Sequence, residues 1–571
     1  MTRSRSTGPS ALLALGYVAG FAFLLASFPA RNADLWGRMA AGRGVAAAAV
    51  GSISPTWLFD LAVYALYSAA GGAGLVIAKA VGVAVTAVLL VRVSRTSGGW
   101  LLPVACTVLA ILAGGTRMLV QPVTVSVLFL AITVWLARRD DRPVWAMAVL
   151  FLVWANVDRW FLAGLGVVAL TCLGKGLDAG SGGRSVGRRL AGVAALVAVT
   201  LLNPGHLHGF PLPAELARGV TSPFSRAYFE AFARNPAGLA FYPLFVLGLL
   251  SFLVTRVRWE RLLPWAGMAL LATIQARAIP LFAVVAGPVL AWNLQDFFAA
   301  RPEPSGARRP VLRAAGRGLV AVLAIAFLAA AWPGWLQSPP YGRRAWTADP
   351  PPGVERGAAA VKDLEGVGPA GSRTLHLSAD TAAGFAWFCP NDTAVLDDRL
   401  AAAITDLSTE PAGVLAAAGV SRVVASAADR GPRAGVDVLL ADPDRFPLLH
   451  LDGGLGVFGV RRPDAPPTAD PYRGREVDFA RLAFRPAADD VAPAGRPGGV
   501  GRRRGGTCSA ARCLRRRRTV PRRRPFWSRP SCSAGPPRPS TSAPGWRPRR
   551  SGWSPPRPGG RSRRTRPSGS P

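Results

Sequence analysis

The chain has 571 residues, half of them apolar and 17% charged, with a formal net charge of +35. Six cysteines without metal-ligand spacing argue against a disulfide framework or a cysteine-bound metal. Long apolar runs through the first 335 residues argue against a simple soluble fold and mark a polytopic membrane protein.

In chain order the apolar stretches fall at 11–28, 74–91, 123–136, 144–156, 161–173, 190–202, 239–254, 263–274, 279–292 and 319–331. Each reaches or approaches the roughly 20 residues that a helix needs to cross a bilayer. With 101–113 they make about 11 transmembrane helices. Several are nearer 15 residues long, which predicts tilted or closely packed helices with ends in a polar cavity. In lipid every backbone amide must be paired within its segment, so these runs are helices.

Residues 57–67 read as a helix lying in the interface, and the first stretch as an uncleaved anchor. With Arg3 and Arg5 cytoplasmic, the alternation puts 19 basic residues inside and 9 outside, in line with the positive-inside rule. The expected location is a cell membrane, multi-pass, with the N-terminus cytoplasmic.

The outer segments carry the informative polar residues. Asp34 and Trp36 follow the first helix; Arg117 and Gln121 flank the helix that begins near Pro122. Asn156, Asp158 and Arg159 lie in the turn 154–160; His206, His208 and Arg226 lie in the loop 203–236; Arg277 lies in the turn 275–279. An ionisable group at membrane depth costs about 2.5 to 3.5 kcal/mol on insertion scales, so such groups usually face a cavity or a partner. Singly, each reads as a cap at the lipid headgroups. As a set on one side they point to a polar outward cavity. His206 and His208 read as solvated loop histidines, so neither a metal site nor another cofactor is indicated.

Beyond 335, prolines 339–340 and 350–352 mark an extended linker. Strands are predicted at 373–377, 393–396, 421–426 and 454–460, and helices at 353–364, 412–418 and 434–440. That alternation predicts a small external α/β domain. Asp397-Asp398-Arg399 sits at a strand's carboxyl end, where α/β domains often bind ligands; a structural turn is the simpler reading. No Gly-rich phosphate loop, nucleophile elbow or zinc signature is present.

The fold class is therefore mainly α. A polytopic membrane domain (1–335) is followed by the α/β domain with its linker (336–485) and a disordered Arg/Pro-rich tail (486–571). From Val491 onward there are 22 arginines and no acidic residue. Such a segment cannot bury enough apolar surface to fold. Its composition is what GC-rich codons yield when read out of frame, so no nucleic-acid partner is expected.

The first 335 residues resemble bacterial membrane proteins related to GT-C glycosyltransferases, which use polyprenyl-phosphate sugars. The residues that carry the resemblance are Asp34-Leu35-Trp36 with Gly42, Trp57-Leu58-Phe59-Asp60, Arg117 to Pro122, Trp154-Ala155-Asn156 with Gly164, and Arg277 to Pro280. The family places a catalytic acid in the first external loop, where Asp34 falls. It usually has another acid where this chain has Asn32, and a His where this chain has Arg38.

The resemblance implies Asp34 as the general base and Arg117, Arg159 and Arg277 as a clamp on the donor phosphate. Trp36, Gln121, Asn156, Asp158, His206, His208 and Arg226 would support the cavity. The implied partners are the bilayer, a polyprenyl-phosphate sugar donor and a glycan or protein acceptor. The alternative is a non-catalytic envelope scaffold, or a transporter, although no internal repeat is visible.

Overall fold

The structure is a computed structural model that describes residues 9–477 apart from 33, 48–53, 97–98, 139–143, 180–182, 207–220, 302–308, 338–343, 368–371, 406–409, 427–432, 453 and 463–469. His208 and the tail 486–571 lie outside the described residues. The chain divides into two units, Met1–Arg485 and Pro486–Pro571, and the described residues belong to the first.

The helical part opens with α1 (Pro9–Ala26), α2 (Asp34–Ala46), α3 (Trp57–Ser94), α4 (Leu101–Gly114), α5 (Pro122–Ala137), α6 (Val144–Val157), α7 (Phe161–Asp178) and α8 (Gly183–Thr200). Two short helices follow, α9 (Arg226–Phe232) and α10 (Pro236–Leu239). The bundle ends with α11 (Phe241–Val254), α12 (Trp259–Ile274), α13 (Ile279–Ala299) and α14 (Arg309–Ala331). Among the described residues five helices are long and apolar enough to cross a membrane, and five shorter apolar ones accompany them. The chain is a multi-pass membrane protein.

α13 is the central post. Every residue from Ile279 to Ala291 is buried, and α3, α4, α5, α11 and α12 pack around it. By contrast α11 leaves Val246, Leu249, Leu250 and Leu253 exposed, an apolar face suited to lipid tails. Gly71 breaks α3 with φ 60° and ψ −161°, backbone angles that only glycine adopts without strain. The helix predicted at 57–67 and the span predicted at 74–91 are therefore separate rods within 57–94. No helix was expected at 34–46, because its three glycines weaken the helical signal.

The α/β part comprises α15 (Val354–Asp363), β1 (Arg373–His376), α16 (Ala379–Phe388), β2 (Thr393–Val395), α17 (Asp398–Thr405), α18 (Pro411–Ala417), β3 (Val420–Ser426), α19 (Arg433–Ala441), β4 (Leu448–Asp452) and β5 (Leu455–Gly459). The sheet order is β2-β1-β3-β5-β4. β1 runs parallel to β2 and β3, and β5 antiparallel to β3 and β4. One face packs Val424 and Val457 against Val354, Ala358 and Phe385 of α15 and α16. The other packs Leu375 and Val423 against Ile404, Leu415 and Leu439 of α17, α18 and α19. The predicted strands and helices are present to within a residue or so at their ends. β4, α16 and α17 are additional; α16 starts at Ser378, whose side chain accepts from the Thr381 N–H.

Candidate active site

The approach to α2 is held by the linker from the α/β part. Ala30 N–H donates to Thr347 O (2.9 Å) and Asp349 N–H to Ala30 O (3.0 Å), while Arg31 pairs with Asp349 at 3.1 Å. Asn32 then ties this segment to the turn before α5, its Nδ2 donating to Val120 O at 3.0 Å. Asp34 opens α2, where a carboxylate faces the positive end of the helix dipole.

Three side chains meet Asp34. Asn32 Nδ2 donates to Oδ1 at 2.9 Å, Gln121 Nε2 to Oδ1 at 3.4 Å, and Arg38 Nε to Oδ2 at 3.4 Å. Arg38 is shared: its Nη1 reaches Asp60 Oδ1 at 3.2 Å and Thr56 Oγ1 at 3.0 Å. Thr56 Oγ1 in turn donates to Asp60 Oδ2 at 3.1 Å. The Asp60 side chain is only 2% exposed and that of Asp34 43%. With both carboxylates ionised, the trio Asp34–Arg38–Asp60 carries one net negative charge, and its accessible member is Asp34.

Close helix packing makes this possible. A Cβ on Gly42 would overlap the Asp60 carbonyl oxygen, so α2 lies directly on the first half of α3.

Beside Gln121 lies an apolar groove of about 200 Å³, lined among others by Phe59, Val63, Leu75, Thr124 and Lys79. The Lys79 ammonium donates to Phe28 O at 3.0 Å and lies 3.6 Å from the Phe28 ring centroid. Gln121 belongs both to this lining and to the Asp34 contacts.

The other sequence-predicted residues occupy varied positions. Arg117 ends a single 3₁₀ turn after α4 and lines a narrow crevice with Thr86, Met118 and Pro280. Thr124 borders both that crevice and the groove. Arg277 is half-buried in the 3₁₀ turn before α13, and Arg159 is half-buried in the turn between α6 and α7.

Asp158 is buried and accepts from Ser126 Oγ at 2.6 Å, which itself accepts from Trp154 Nε1 at 2.7 Å. Asn156 Oδ1 accepts from Trp57 Nε1 at 2.9 Å; both border a broad, mostly apolar recess that His206 also lines. Arg226 is exposed and pairs with Glu230 at 2.6 Å. Trp36 is buried in an aromatic cluster, 4.8 Å from the Phe388 ring and 6.0 Å from Tyr67.

Trp36 marks a contact that the sequence did not announce, the docking of α16 on α2. Arg43 donates to Ala386 O (3.0 Å) and Trp387 O (3.3 Å) at the carboxyl end of α16. Its guanidinium also lies 4.9 Å from the Trp387 ring, so it meets both the negative end of a helix dipole and an aromatic face. Arg38 and Asp60 were likewise missed as site residues. The four-residue spacing of Asp34 and Arg38 was their one local signal, and it speaks only once 34–46 is a helix. Asp397 caps α17, accepting from the Arg399 N–H at 2.8 Å, a structural turn. No group of three or more His, Cys, Asp or Glu side chains placed to hold a metal occurs among the described residues.

The fold is similar to that of archaeal oligosaccharyltransferase AglB from Archaeoglobus fulgidus, solved in complex with an inhibitory peptide and a dolichol-phosphate. The TM-score is 0.53 and the identity 10%, over 80% of this chain and 75% of that one. A second solved structure, ArnT from Cupriavidus metallidurans bound to undecaprenyl phosphate, matches at TM-score 0.47 and 14% identity, over 81% of this chain and 100% of that one. No protein-family description and no curated protein sequence matches the chain. The likeness is one of fold: a helical membrane part followed by a small sheet late in the chain.

Proposed function

We propose that the protein is a GT-C-type glycosyltransferase that moves a sugar from a polyprenyl-phosphate donor to an acceptor at the external face of the cell membrane, with Asp34 as general base. One observation carries this reading: an accessible carboxylate is held by Gln121 at the rim of an apolar groove. A polyprenyl chain needs an apolar channel, and its reacting head needs a polar rim. The dolichol-phosphate bound by AglB, on a similar fold, supports the same ligand class.

In the proposed transfer the acceptor hydroxyl gives its proton to Asp34 and its oxygen bonds to the anomeric carbon. The bond from that carbon to the donor phosphate breaks, and its electron pair leaves on the polyprenyl phosphate. Charge grows on the departing phosphate, so a nearby cation lowers the barrier. Arg117, Arg159 and Arg277 are proposed for that role, with planar forks that suit phosphate oxygens. Arg38 holds Asp34 in place and is itself shared with Asp60.

A scaffold role is favoured by a different observation, the clamp of α16 on the helix that carries Asp34. Reconstituted wild-type and Asp34→Asn proteins separate the two readings, since a scaffold transfers no sugar in either form. Transfer from a panel of polyprenyl-phosphate sugars is expected to fall at least about 100-fold, the usual weight of a general base, with thermal stability nearly unchanged. Transfer at the wild-type rate would remove Asp34 from the mechanism.

A further inference from the structure

α5 begins just after Gln121, which contacts Asp34, and runs 16 residues from Pro122 to Ala137, a rise of about 24 Å. At its far end a second cavity, about 290 Å³ in volume, opens between the ends of α5 and α7, the start of α12 and the last turns of α13. It is the size of a small-molecule pocket at the lower limit. Its described lining includes four basic side chains, Arg138, Lys175, Arg258 and Arg261, and two acidic ones, Glu260 and Asp296.

The cavity is built rather than incidental. Asp296 takes a hydrogen bond from Arg261 at 2.7 Å and lies 3.7 Å from Arg258, so one carboxylate organises two guanidinium groups. Arg261 is buried and also donates to Asn293 Oδ1 at 3.0 Å. The Trp292 ring holds two more contacts, with Arg138 at 4.8 Å and Arg261 at 5.8 Å from its centroid. Trp292 is itself fixed by donating to Val93 O at 3.0 Å. Lys175 donates to Ala137 O at 2.9 Å, which aims its ammonium across the end of α5. Asp178 occupies the amino end of α12, accepting from Trp259 and Glu260 N–H groups at 2.9 Å each, so that helix end is already served.

Four basic side chains against two carboxylates leave the described lining with a surplus of two positive charges, a field that favours an anion. We propose that this cavity binds a phosphate group. Basic pockets between membrane helices suit phospholipid headgroups, and guanidinium forks suit phosphate oxygens whatever molecule carries them. The inference is independent of the transferase reading, because it concerns the opposite end of α5 and its test reads binding alone.

The test uses the full chain in detergent micelles. Native mass spectrometry would follow retention of phosphatidylglycerol against phosphatidylcholine, and thermal unfolding would follow protection by pyrophosphate. Preferential retention of phosphatidylglycerol that weakens about 25-fold in an Arg138→Gln/Lys175→Gln protein is the expected result, about fivefold for each cation. Pyrophosphate protection lost in the same protein, without lipid preference, would assign the site to a soluble phosphate. Binding of both anions that is indifferent to the double substitution would overturn the proposal. If that protein does not fold, Glu260→Gln serves instead: it removes a lining carboxylate and should tighten binding about fivefold, and unchanged binding counts against the site.

Discussion

Around Asp34, one arginine reaches two carboxylates, and one of these stays open to solvent at 43% exposure. Beneath the sheet a second cluster has similar ingredients and the opposite access. Asp392, 1% exposed, accepts from Thr374 Oγ1 at 2.7 Å and faces Arg422 at 3.5 Å and His376 at 3.8 Å. Burial alone would push the Asp392 carboxyl up; the His376 ring, the Thr374 hydroxyl and the Arg422 charge outweigh it and hold it below the usual carboxylate range. That cluster locks the segment before β2 to β1 and β3, with its side chains almost wholly buried. The two clusters are alike in composition and differ in access to solvent.

Breaking the sealed cluster should have the largest effect on stability. Arg422→Ala strands a buried carboxylate and should cost about 3–5 kcal/mol; a loss under about 1 kcal/mol by chemical denaturation would mean that Asp392 finds water or another partner. At the open site Asp34→Asn should change stability by less than about 1 kcal/mol, while removing the proposed transfer.

Between these lies the packing that joins Asp34 to Asp60. Gly42→Ala puts a methyl group against the Asp60 carbonyl and should cost about 1–3 kcal/mol. It should also lower transfer more than an alanine at Gly44, where an added Cβ meets open space.

Acid sharpens the comparison with the smallest effect. Because the folded Asp392 carboxyl is held below its unfolded value, its contribution is present above about pH 4 and lost as the pH falls through the folded value. Wild-type protein should therefore lose stability as the pH falls below about 4, more steeply than Asp392→Asn. Parallel profiles would show that the cluster is not the acid-sensitive element.

Much of the fold was legible in the chain. The apolar runs had to be helices because lipid offers the backbone no partner, and β1, β2, β3 and β5 announced themselves by composition between turn residues. β4 was not legible: its five residues make a strand because β5 pairs with them. α16 was missed although its alanines and the Ser378 cap both favour a helix; its dock on α2 was not legible.

At the site Asp34 was found through its position after the first helix, and Gln121 through its place before α5. Arg38 registered only as a departure from a familiar pattern. Its role depends on Asp60, 22 residues away, and on the close approach at Gly42.

By itself, then, the sequence determined that this protein crosses the membrane many times, that a small α/β part follows, and that ionisable residues gather at helix ends. Solvent imposes those features segment by segment, so each is readable within its own stretch of chain. Only the tertiary structure decided which carboxylate stays accessible, that Arg38 is shared between two acids, and that basic residues from three helices converge at the far end of α5. Those outcomes depend on distances between segments remote in sequence. Side-chain charge and hydrogen bonding act over a few ångströms, and the fold alone sets which groups come that close.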